Sequence, residues 1–580
     1  MKRLHSILAV AFLVASSVSL VQLSKRIPRA LTRTVAHIRG ACQFDSSYFN
    51  GASLLSSRYV SPSQVLWVFQ SVAPGCETAH KSLRQILRWG RMLSETYFVD
   101  DLSCAKGGFL LVECSQCGQG WTAENQYPRV VAESGSWRLL AAADVRVCDN
   151  GSECFATTMT NEFIVTISFI ILLVWLYFTR GGICALSFVL SISLLTFFFA
   201  LGCLLDFYWG RVLFGVCTLS MVLLTVKFFT KKNFSMSFVE WALAIAIICV
   251  LALISLSHYL PTPNFAGNVG GKAKLLYLTG GFTSEFWRGI GASADMNPAY
   301  PPAWAMIVLC LNVFLGAPCE WSVQLVGTAF FALLGLELAS LARTKILRFA
   351  VLLYMLGPIS ILVSGAFYSE PGMVFCIFVG LRLLTMRPEC ISGSMFLGFA
   401  SWFKDEGVLF ALIAYGVWVF TFGQSHLSLR RILFYCAVIV APATLWGCFT
   451  IVVGARLDGF DFVHFEFSRL FTAFFEIVRS FWGSSLGMLC PLFACLCIVE
   501  SSSFFARTIG TVAVLLFVSV VFSCVYVFFP ASDMRWMAET NAPRLLWTLG
   551  VMLMGHAFIL DLTKRNSTNE RTLGVRQKDT

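Results

Sequence analysis

Three consecutive charged residues stand between two apolar segments, in the sequence FKDEG at positions 403–407. Charges beside long apolar segments are costly unless they are paired or used, so Lys404, Asp405 and Glu406 mark a candidate site. The lysine ammonium is a compact cation with rotatable donors, and it suits a phosphate ligand. An ordinary anchor at a membrane–water interface would contain the same residues, and the local sequence does not separate these two interpretations.

Two further ionisable residues occupy similar positions. Glu370 is the only charged residue between Arg348 and Arg382. Its carboxylate either caps the N-terminus of a helix that begins at Pro371 or belongs to a site. Arg544 ends the polar loop 530–544 and precedes an apolar segment. A guanidinium at such a boundary either grips a phosphate with two parallel hydrogen bonds or reaches out to the interface.

The loop 258–302 contains the densest mixture of charges near an apolar segment. Its ionisable residues are Lys272, Lys274, Glu285, Arg288 and Asp295. The loop ends in the sequence Tyr300-Pro301-Pro302, in which the two prolines fix φ and hold the chain rigidly before the next apolar helix. A solvated loop with a proline stop is the alternative interpretation.

A metal site is a weaker possibility in the loop 455–483. Asp461 and His464 are three residues apart there, with further carboxylates nearby. Oxygen and imidazole ligands suit divalent cations, but this spacing is unspecific. A divalent metal therefore stays an alternative, and the sequence points to no definite cofactor.

The composition of the chain indicates that the apolar segments flanking these residues lie in a lipid environment. Hydrophobic residues make up 57% of the 580 residues and charged residues only 13%, against about 25% in soluble domains. Segments such as 163–178 and 237–257 are apolar throughout. At about 1.5 Å per residue they approach or match the hydrocarbon core of about 30 Å. We therefore predict an all-α, multi-pass integral membrane protein.

The net charge of +11 does not indicate a nucleic-acid partner. The basic residues form short clusters between apolar segments, and no basic face with interleaved aromatic residues is present. Basic clusters mark cytoplasmic loops; here they lie at 231–232, 343–345, 382–387, 430–431 and 564–565. This topology predicts about fourteen spans, with 303–317 as a juxtamembrane or re-entrant helix. It also places the loop 258–302, Glu370, the FKDEG sequence and Arg544 together outside the cytoplasm.

The N-terminal part is different in character. Residues 1–23 are predicted to be a signal sequence or signal anchor. Residues 24–160 form a long polar segment, which we interpret as a small, mixed, strand-rich extracytoplasmic domain. Seven of the 21 cysteines lie in it, which indicates disulfides in an oxidising compartment. Residues 162–236 are expected to form accessory transmembrane helices, and 563–580 a cytoplasmic tail.

The order of the motifs resembles that of a known family. Lys272-Ala273-Lys274, Tyr300-Pro301-Pro302, Glu370, Lys404-Asp405-Glu406-Gly407 and Arg544 follow one another along the chain. This order resembles the polyprenol-phosphate-dependent membrane glycosyltransferases of the GT-C class, in particular bacterial enzymes of the protein mannosyltransferase and lipid A aminoarabinose transferase type. The resemblance covers roughly residues 238–560 and implies a GT-C-like membrane domain over 237–562. It also implies residence in a bacterial cytoplasmic membrane.

The resemblance implies an activity and a set of roles. A sugar would pass from a polyprenyl-phosphate donor to an extracytoplasmic acceptor of unknown identity. Lys404, Arg288 and Arg544, assisted by Lys272 or Lys274, would stabilise the anionic leaving group. Asp295 would deprotonate the acceptor, and Glu370 would orient a cation or the sugar. Tyr300, Glu406, Glu285 and Asn264 complete the candidate site residues.

The chain departs from the family pattern at one position. The aspartate that such enzymes carry shortly before the KAK-like stretch corresponds here to Asn264. An amide cannot accept the acceptor's proton. Three alternatives follow: the motif is shifted along the chain, Asp295 or Glu285 serves instead, or the protein is not catalytic.

Two rival classes use the same features. A transporter or flippase for a lipid-linked intermediate would bind the phosphate with the same cations. It would also be expected to show internal repeats and polar residues at mid-membrane depth, which this sequence lacks. A non-catalytic membrane assembly protein would act through residues 24–160.

Overall fold

A computed structural model describes part of the chain. The described residues are 3–16 apart from 5, the five strands given below, 168–173, 176–177, 182–202, 269–287 apart from 285, 300–315, 322–355 apart from 343, 369–422, 427–453, and isolated positions within 242–250 and 475–552. This part is mostly helical. All contacts reported below concern these residues.

Five short strands form one mixed sheet within the N-terminal polar segment. They are β1 (Leu66–Phe69), β2 (Thr96–Val99), β3 (Phe109–Glu113), β4 (Arg129–Ser134) and β5 (Trp137–Ala141), in the spatial order β2-β1-β3-β5-β4. β1 runs parallel to β2 and β3, whereas β5 is antiparallel to β3 and β4. The strands lie where we expected a strand-rich segment. The seven cysteines lie outside the described residues, and their disulfides stay a prediction.

Nine helices of the described residues follow. They are α1 (Gly182–Leu201), α2 (Gly270–Thr279), α3 (Ala303–Leu315), α4 (Ser322–Leu341), α5 (Lys345–Met355), α6 (Glu370–Met386), α7 (Ile391–Phe403), α8 (Gly407–Phe422) and α9 (Leu429–Val452). α7 packs against α6, α8 and α9, and α3 packs against α1 and α2. Their apolar side chains form one continuous core.

α6 and α7 form a tight antiparallel hairpin that glycines make possible. A Cβ atom on Gly380 would lie 2.8 Å from the carbonyl oxygen of Gly393, and one on Gly393 would lie 2.6 Å from Leu384 Cγ. Small residues let two helix backbones approach this closely. Because the hairpin is antiparallel, the start of α6 lies beside the end of α7, which brings Glu370 close to Lys404.

α9 is the one helix in the described part that is long and apolar enough to cross a membrane. Its 24 residues extend about 36 Å, and large apolar side chains such as Leu445 and Val452 are exposed along it. Pro442 lies inside this helix and cannot donate a hydrogen bond to the carbonyl of Val438. Gly398 of α7 packs against that same carbonyl, where a Cβ atom would lie 3.0 Å away.

The described part also contains shorter apolar helices. They include Ser6–Ser16, Ala185–Leu201, Ala303–Leu315, Val326–Leu341, Ile391–Phe403 and Gly407–Phe420. Of the spans expected after residue 453, only isolated positions are described, among them Trp547, whose ring stacks on Phe331 at 5.6 Å. The number of about fourteen spans and the multi-pass topology therefore stay predictions.

α3 is buried on all sides. Every residue from Ala303 to Val313 is buried, whereas a helix lying on a membrane surface would expose one side. Its 13 residues extend about 20 Å, which is short for a hydrocarbon core of about 30 Å. Whether 303–317 is a juxtamembrane or a re-entrant helix stays a prediction.

A buried ion pair lies toward the far end of α6 from Glu370. Arg382 of α6 contacts the carboxylate of Glu337 of α4, which is fully buried. Tyr177 lies within electrostatic range of Arg382. This group links three segments of the chain at one end of the helices.

Candidate functional site

A second buried ion pair joins the two candidate motifs at the opposite end of the hairpin. Glu370 is the first residue of α6, and Lys404 directly follows α7. Lys404 Nζ donates to Glu370 Oε1 at 2.9 Å, and the two side chains are only 7% and 0% exposed. Glu370 thus lies in the first turn of a helix, next to Pro371, and pairs with a cation; its role in a site stays a prediction.

The turn between α7 and α8 holds Lys404 in place. Lys404 Nζ also lies 3.3 Å from Glu406 Oε1. The backbone N–H of Gly407 donates to the carbonyl of Lys404 at 2.8 Å. Gly407 packs so closely on the preceding helix that a Cβ atom there would lie 2.2 Å from the carbonyl oxygen of Ala400. The turn thus has little freedom to move away from α7.

Lys272 connects the loop 258–302 to the same cluster. It lies in α2, is 4% exposed, and donates from Nζ to the backbone carbonyl of Tyr300 at 2.7 Å. The Tyr300 hydroxyl in turn lies 2.6 Å from Ser369 Oγ, next to Glu370. Contacts therefore link three segments that are far apart in sequence, and we call Lys272, Tyr300, Ser369, Glu370, Lys404, Asp405 and Glu406 the polar cluster.

The polar cluster adjoins a group of aromatic rings. Lys272 Nζ lies 6.0 Å from the centre of the Trp446 ring and 5.9 Å from that of Tyr300. Such contacts between a cation and an aromatic face are attractive. Trp446 in turn contacts Trp402 and Phe449, with ring centroids 6.2 Å and 5.4 Å away. The cluster therefore has an apolar wall on one side.

Burial changes the proton affinity of Lys272. It lowers the pKa of this lysine to about 7, although the negative charge of Asp405 opposes the shift. Burial in a medium of low polarity disfavours the charged form of an amine. The charge of Lys272 is therefore sensitive to whatever lies next to it, and an anionic ligand would favour its protonated form.

Asp405 differs from the other carboxylates of the polar cluster because its side chain is exposed. Protein nevertheless fills most of the space around it. This crowding and the Glu406 carboxylate raise the pKa of Asp405 to about 7, whereas Lys272 and Lys404 act in the opposite direction. Asp405 is therefore the member of the polar cluster whose carboxylate is exposed although protein lies close to it.

The charge balance limits what this site can bind. Within the described residues, two lysines face three carboxylates, so the fully ionised polar cluster has one net negative charge. An anion would bind with proton uptake by the cluster or with help from further cations. Arg288 and Arg544, which we expect to bind phosphate, could provide that help, but they lie outside the described residues.

The structure brings together five of the residues singled out from the sequence: Lys272, Tyr300, Glu370, Lys404 and Glu406. Lys274 also lies in α2 and is half-buried. Asn264, Glu285, Arg288, Asp295 and Arg544 lie outside the described residues, as does most of the loop 455–483. The described residues contain no group of three potential metal ligands among His, Cys, Asp and Glu.

Three members of the site were not anticipated individually. Ser369 and Trp446 have no distinguishing sequence signal, since a serine before a helix and a tryptophan in an apolar helix are common. Asp405 stood within a recognised motif, but nothing in the sequence separated it from Glu406. The structure distinguishes the two carboxylates, because Glu406 contacts the Lys404 ammonium and Asp405 is exposed.

We expect Lys272 to make protein stability depend on pH. Its ammonium has a pKa near 7 in the folded chain and near 10.4 when unfolded. Between these values the unfolded state binds more protons, so stability should rise with pH from about 7 to about 10. Thermal unfolding of wild type and of Lys272→Met is measured between about pH 7 and pH 10. The difference between the two stability curves is the contribution of Lys272. Parallel curves for the two proteins would contradict a buried, easily neutralised Lys272.

Comparison of the chain with models of protein families, with curated proteins and with solved structures finds no match. The fold and the site therefore define its class on their own. The described part is a mostly helical protein with one helix suited to crossing a membrane. At one end of its helices lies a polar cluster built around a buried lysine–glutamate pair.

Proposed function

We propose that this chain is a multi-pass protein of the bacterial cytoplasmic membrane that transfers a sugar from a polyprenyl-phosphate donor to an extracytoplasmic acceptor. One observation carries the proposal. The loop 258–302, the start of α6 and the turn after α7 converge in one polar cluster with an exposed carboxylate. Their motifs are those whose order resembles the GT-C glycosyltransferases.

The position of the polar cluster suits a lipid-linked substrate. α7 has 13 residues and extends about 20 Å. With the turn at 387–390 on the cytoplasmic surface, Lys404 would lie roughly 10 Å below the outer surface of a hydrocarbon core of about 30 Å. A polyprenyl phosphate could place its head group in such a recess while its tail stays in the bilayer.

The cluster also contains the chemical groups that the reaction needs. Breaking the bond between the sugar and the phosphate leaves a polyprenyl phosphate anion. Lys404 and Lys272 are cations in surroundings from which bulk water is largely excluded, where they stabilise developing negative charge more strongly than in water. The aromatic rings around Trp446 offer an apolar surface next to these cations.

A carrier for a lipid-linked intermediate is the second candidate. The observation that favours it is the buried Glu337–Arg382 pair at the far end of the helices from Glu370 and Lys404. Two buried ion pairs at opposite ends could act as alternating gates. The carrier would move the donor across the bilayer without breaking its sugar–phosphate bond.

A reaction assay in nanodiscs separates these candidates. The purified protein is supplied with radiolabelled polyprenyl-phosphate mannose, glucose, galactose or arabinose, together with bacterial envelope extract as a source of acceptor. We expect one donor to bind and to release free polyprenyl phosphate. Movement of intact donor across a vesicle membrane without release would favour the carrier. Folded protein that binds no donor would count against both.

The membrane sidedness can be measured independently. Reporter fusions that end after Glu389 should report a cytoplasmic location, and those that end after Glu406 an extracytoplasmic one. The topology predicts this because α7 lies between the two positions. The same side for both fusions would contradict a crossing by α7 and the extracytoplasmic site.

A further inference from the structure

We propose that Asp405 is the general base that takes the proton from the acceptor hydroxyl or amine. This inference rests on the proposed glycosyl transfer and assigns one of its steps to a residue. The GT-C resemblance suggested Asp295 for this step instead. The arrangement of the carboxylates in the polar cluster favours Asp405.

The other carboxylates of the polar cluster are already engaged. Glu370 is fully buried and accepts a hydrogen bond from Lys404 at 2.9 Å. Glu406 is the second partner of Lys404, at 3.3 Å. Asp405 is exposed, and among the described residues it forms no ion pair within 4.0 Å. Among the described residues, Asp405 is therefore the carboxylate of this cluster that is exposed and outside these ion pairs, whereas Glu406, 33% exposed, is held by Lys404.

The backbone fixes the position of Asp405. It lies between Lys404, which is held by Glu370, and Gly407, which packs against Ala400. The hydrogen bond from Gly407 N–H to the Lys404 carbonyl closes the turn around it. A general base must be held in a defined position near the proton that it removes. This turn provides such a position.

The neighbouring charges suit a base. Desolvation by the surrounding protein raises the pKa of Asp405 most, the Glu406 carboxylate raises it further, and Lys272 and Lys404 lower it by favouring the ionised form. The resulting pKa of about 7 leaves a substantial part of the carboxylate ionised at neutral pH, while keeping it basic enough to accept a proton. The geometry of the turn and the two lysines supports the same assignment.

The transfer forms one bond at the anomeric carbon and breaks another. The acceptor oxygen or nitrogen attacks the anomeric carbon of the sugar, forming a new bond there. The bond between that carbon and the phosphate oxygen breaks, and its electron pair stays on the oxygen as polyprenyl phosphate. The acceptor proton passes to Asp405. Lys404, one residue away, can stabilise the charge on the leaving phosphate in the same step.

The test compares Asp405→Asn with Asp405→Glu, Asp295→Asn and Glu389→Gln in nanodiscs. Glu389 is an exposed carboxylate in the turn at the other end of α7, and it serves as the matched control. Two quantities are measured for each variant: binding of polyprenyl phosphate, and transfer as release of polyprenyl phosphate from the donor that wild type uses. Thermal unfolding establishes that each variant is folded.

We expect Asp405→Asn to lower transfer by at least about 100-fold while binding of polyprenyl phosphate stays within about threefold. Wild-type transfer should fall about tenfold per pH unit below pH 7, and Asp405→Asn should lose this dependence. Asp405→Glu should recover part of the activity, and Glu389→Gln should match wild type.

Two results would overturn the assignment. If Asp405→Asn transfers like wild type while Asp295→Asn is inactive, the base is Asp295 and the glycosyl-transfer proposal survives. If wild type binds polyprenyl phosphate but transfers no sugar, glycosyl transfer itself fails, and the role of Asp405 fails with it. The binding measurement therefore separates failure of this assignment from failure of the proposed function.

Discussion

Replacing Lys404 with Met is expected to abolish binding of polyprenyl phosphate and to lower the free energy of unfolding by about 3–5 kcal/mol. The loss of stability follows because Glu370 is fully buried and would lose the cation 2.9 Å from its carboxylate. Breaking a buried ion pair from one side leaves a charge in surroundings of low polarity. The loss of binding follows from the removal of the central cation of the polar cluster.

A double variant separates the two effects. In Glu370→Leu/Lys404→Met both charges are gone, and replacement of a whole buried pair by apolar residues is often close to neutral for stability. We therefore expect most of the stability to return while binding stays lost. Thermal or denaturant unfolding in detergent and a binding assay with labelled polyprenyl phosphate measure the two quantities on the same samples.

Arg382→Met is the matched control. Its partner Glu337 is as deeply buried as Glu370, but this pair lies at the other end of α6. The variant should lose stability to a similar degree and still bind polyprenyl phosphate at a temperature where it is folded. Equal loss of binding in Arg382→Met and Lys404→Met would show that binding merely follows stability, and Lys404 would then have no direct role.

Gly407→Ala is expected to destabilise the protein by about 1–3 kcal/mol and to weaken ligand binding. The new methyl group would lie 2.2 Å from the Ala400 carbonyl oxygen and 2.4 Å from its carbon. Both are backbone atoms, so the end of α7 and the turn must move apart. Lys404 and Asp405 lie within this turn, and their positions would change with it.

The same substitution at Gly416, which lies in the same helix as Gly407, is not expected to lower stability. A Cβ atom at Gly416 meets nothing within 4 Å. Alanine is favoured over glycine inside a helix by about 1 kcal/mol, so Gly416→Ala should be neutral or stabilising and should bind normally. Melting temperature and polyprenyl phosphate affinity test both variants. Similar behaviour of the two would contradict the close packing of the turn on α7.

The sequence identified the candidate residues because of where their charges stand. Glu370 is isolated in a long apolar stretch, and Lys404 belongs to three charges between apolar helices. A charge in such a position has a high cost unless it is paired or used. This cost is a local property of the chain, so both residues could be selected without knowing their partners. The helical, apolar character of the chain followed from composition in the same way.

The partners themselves depended on tertiary structure. The Lys404–Glu370 contact joins residues 34 apart, and the Tyr300–Ser369 contact joins residues 69 apart. Glycine contacts between α6 and α7 determine how close these ends come, and those contacts depend on the pairing of the whole helices. No local pattern contains that information.

The difference between Asp405 and Glu406 shows the same limit within a single motif. Both are acidic residues of one short turn, and the sequence alone does not indicate which of them is paired with a cation and which is accessible. Once Lys404 is held by Glu370, Glu406 lies within reach of its ammonium and Asp405 stays exposed. The sequence thus determined that charges gather at the ends of apolar helices. The packing of α6 on α7 decided that Lys404 pairs with Glu370 and that Asp405 stays exposed. Such pairing depends on distances between residues that only the folded chain defines.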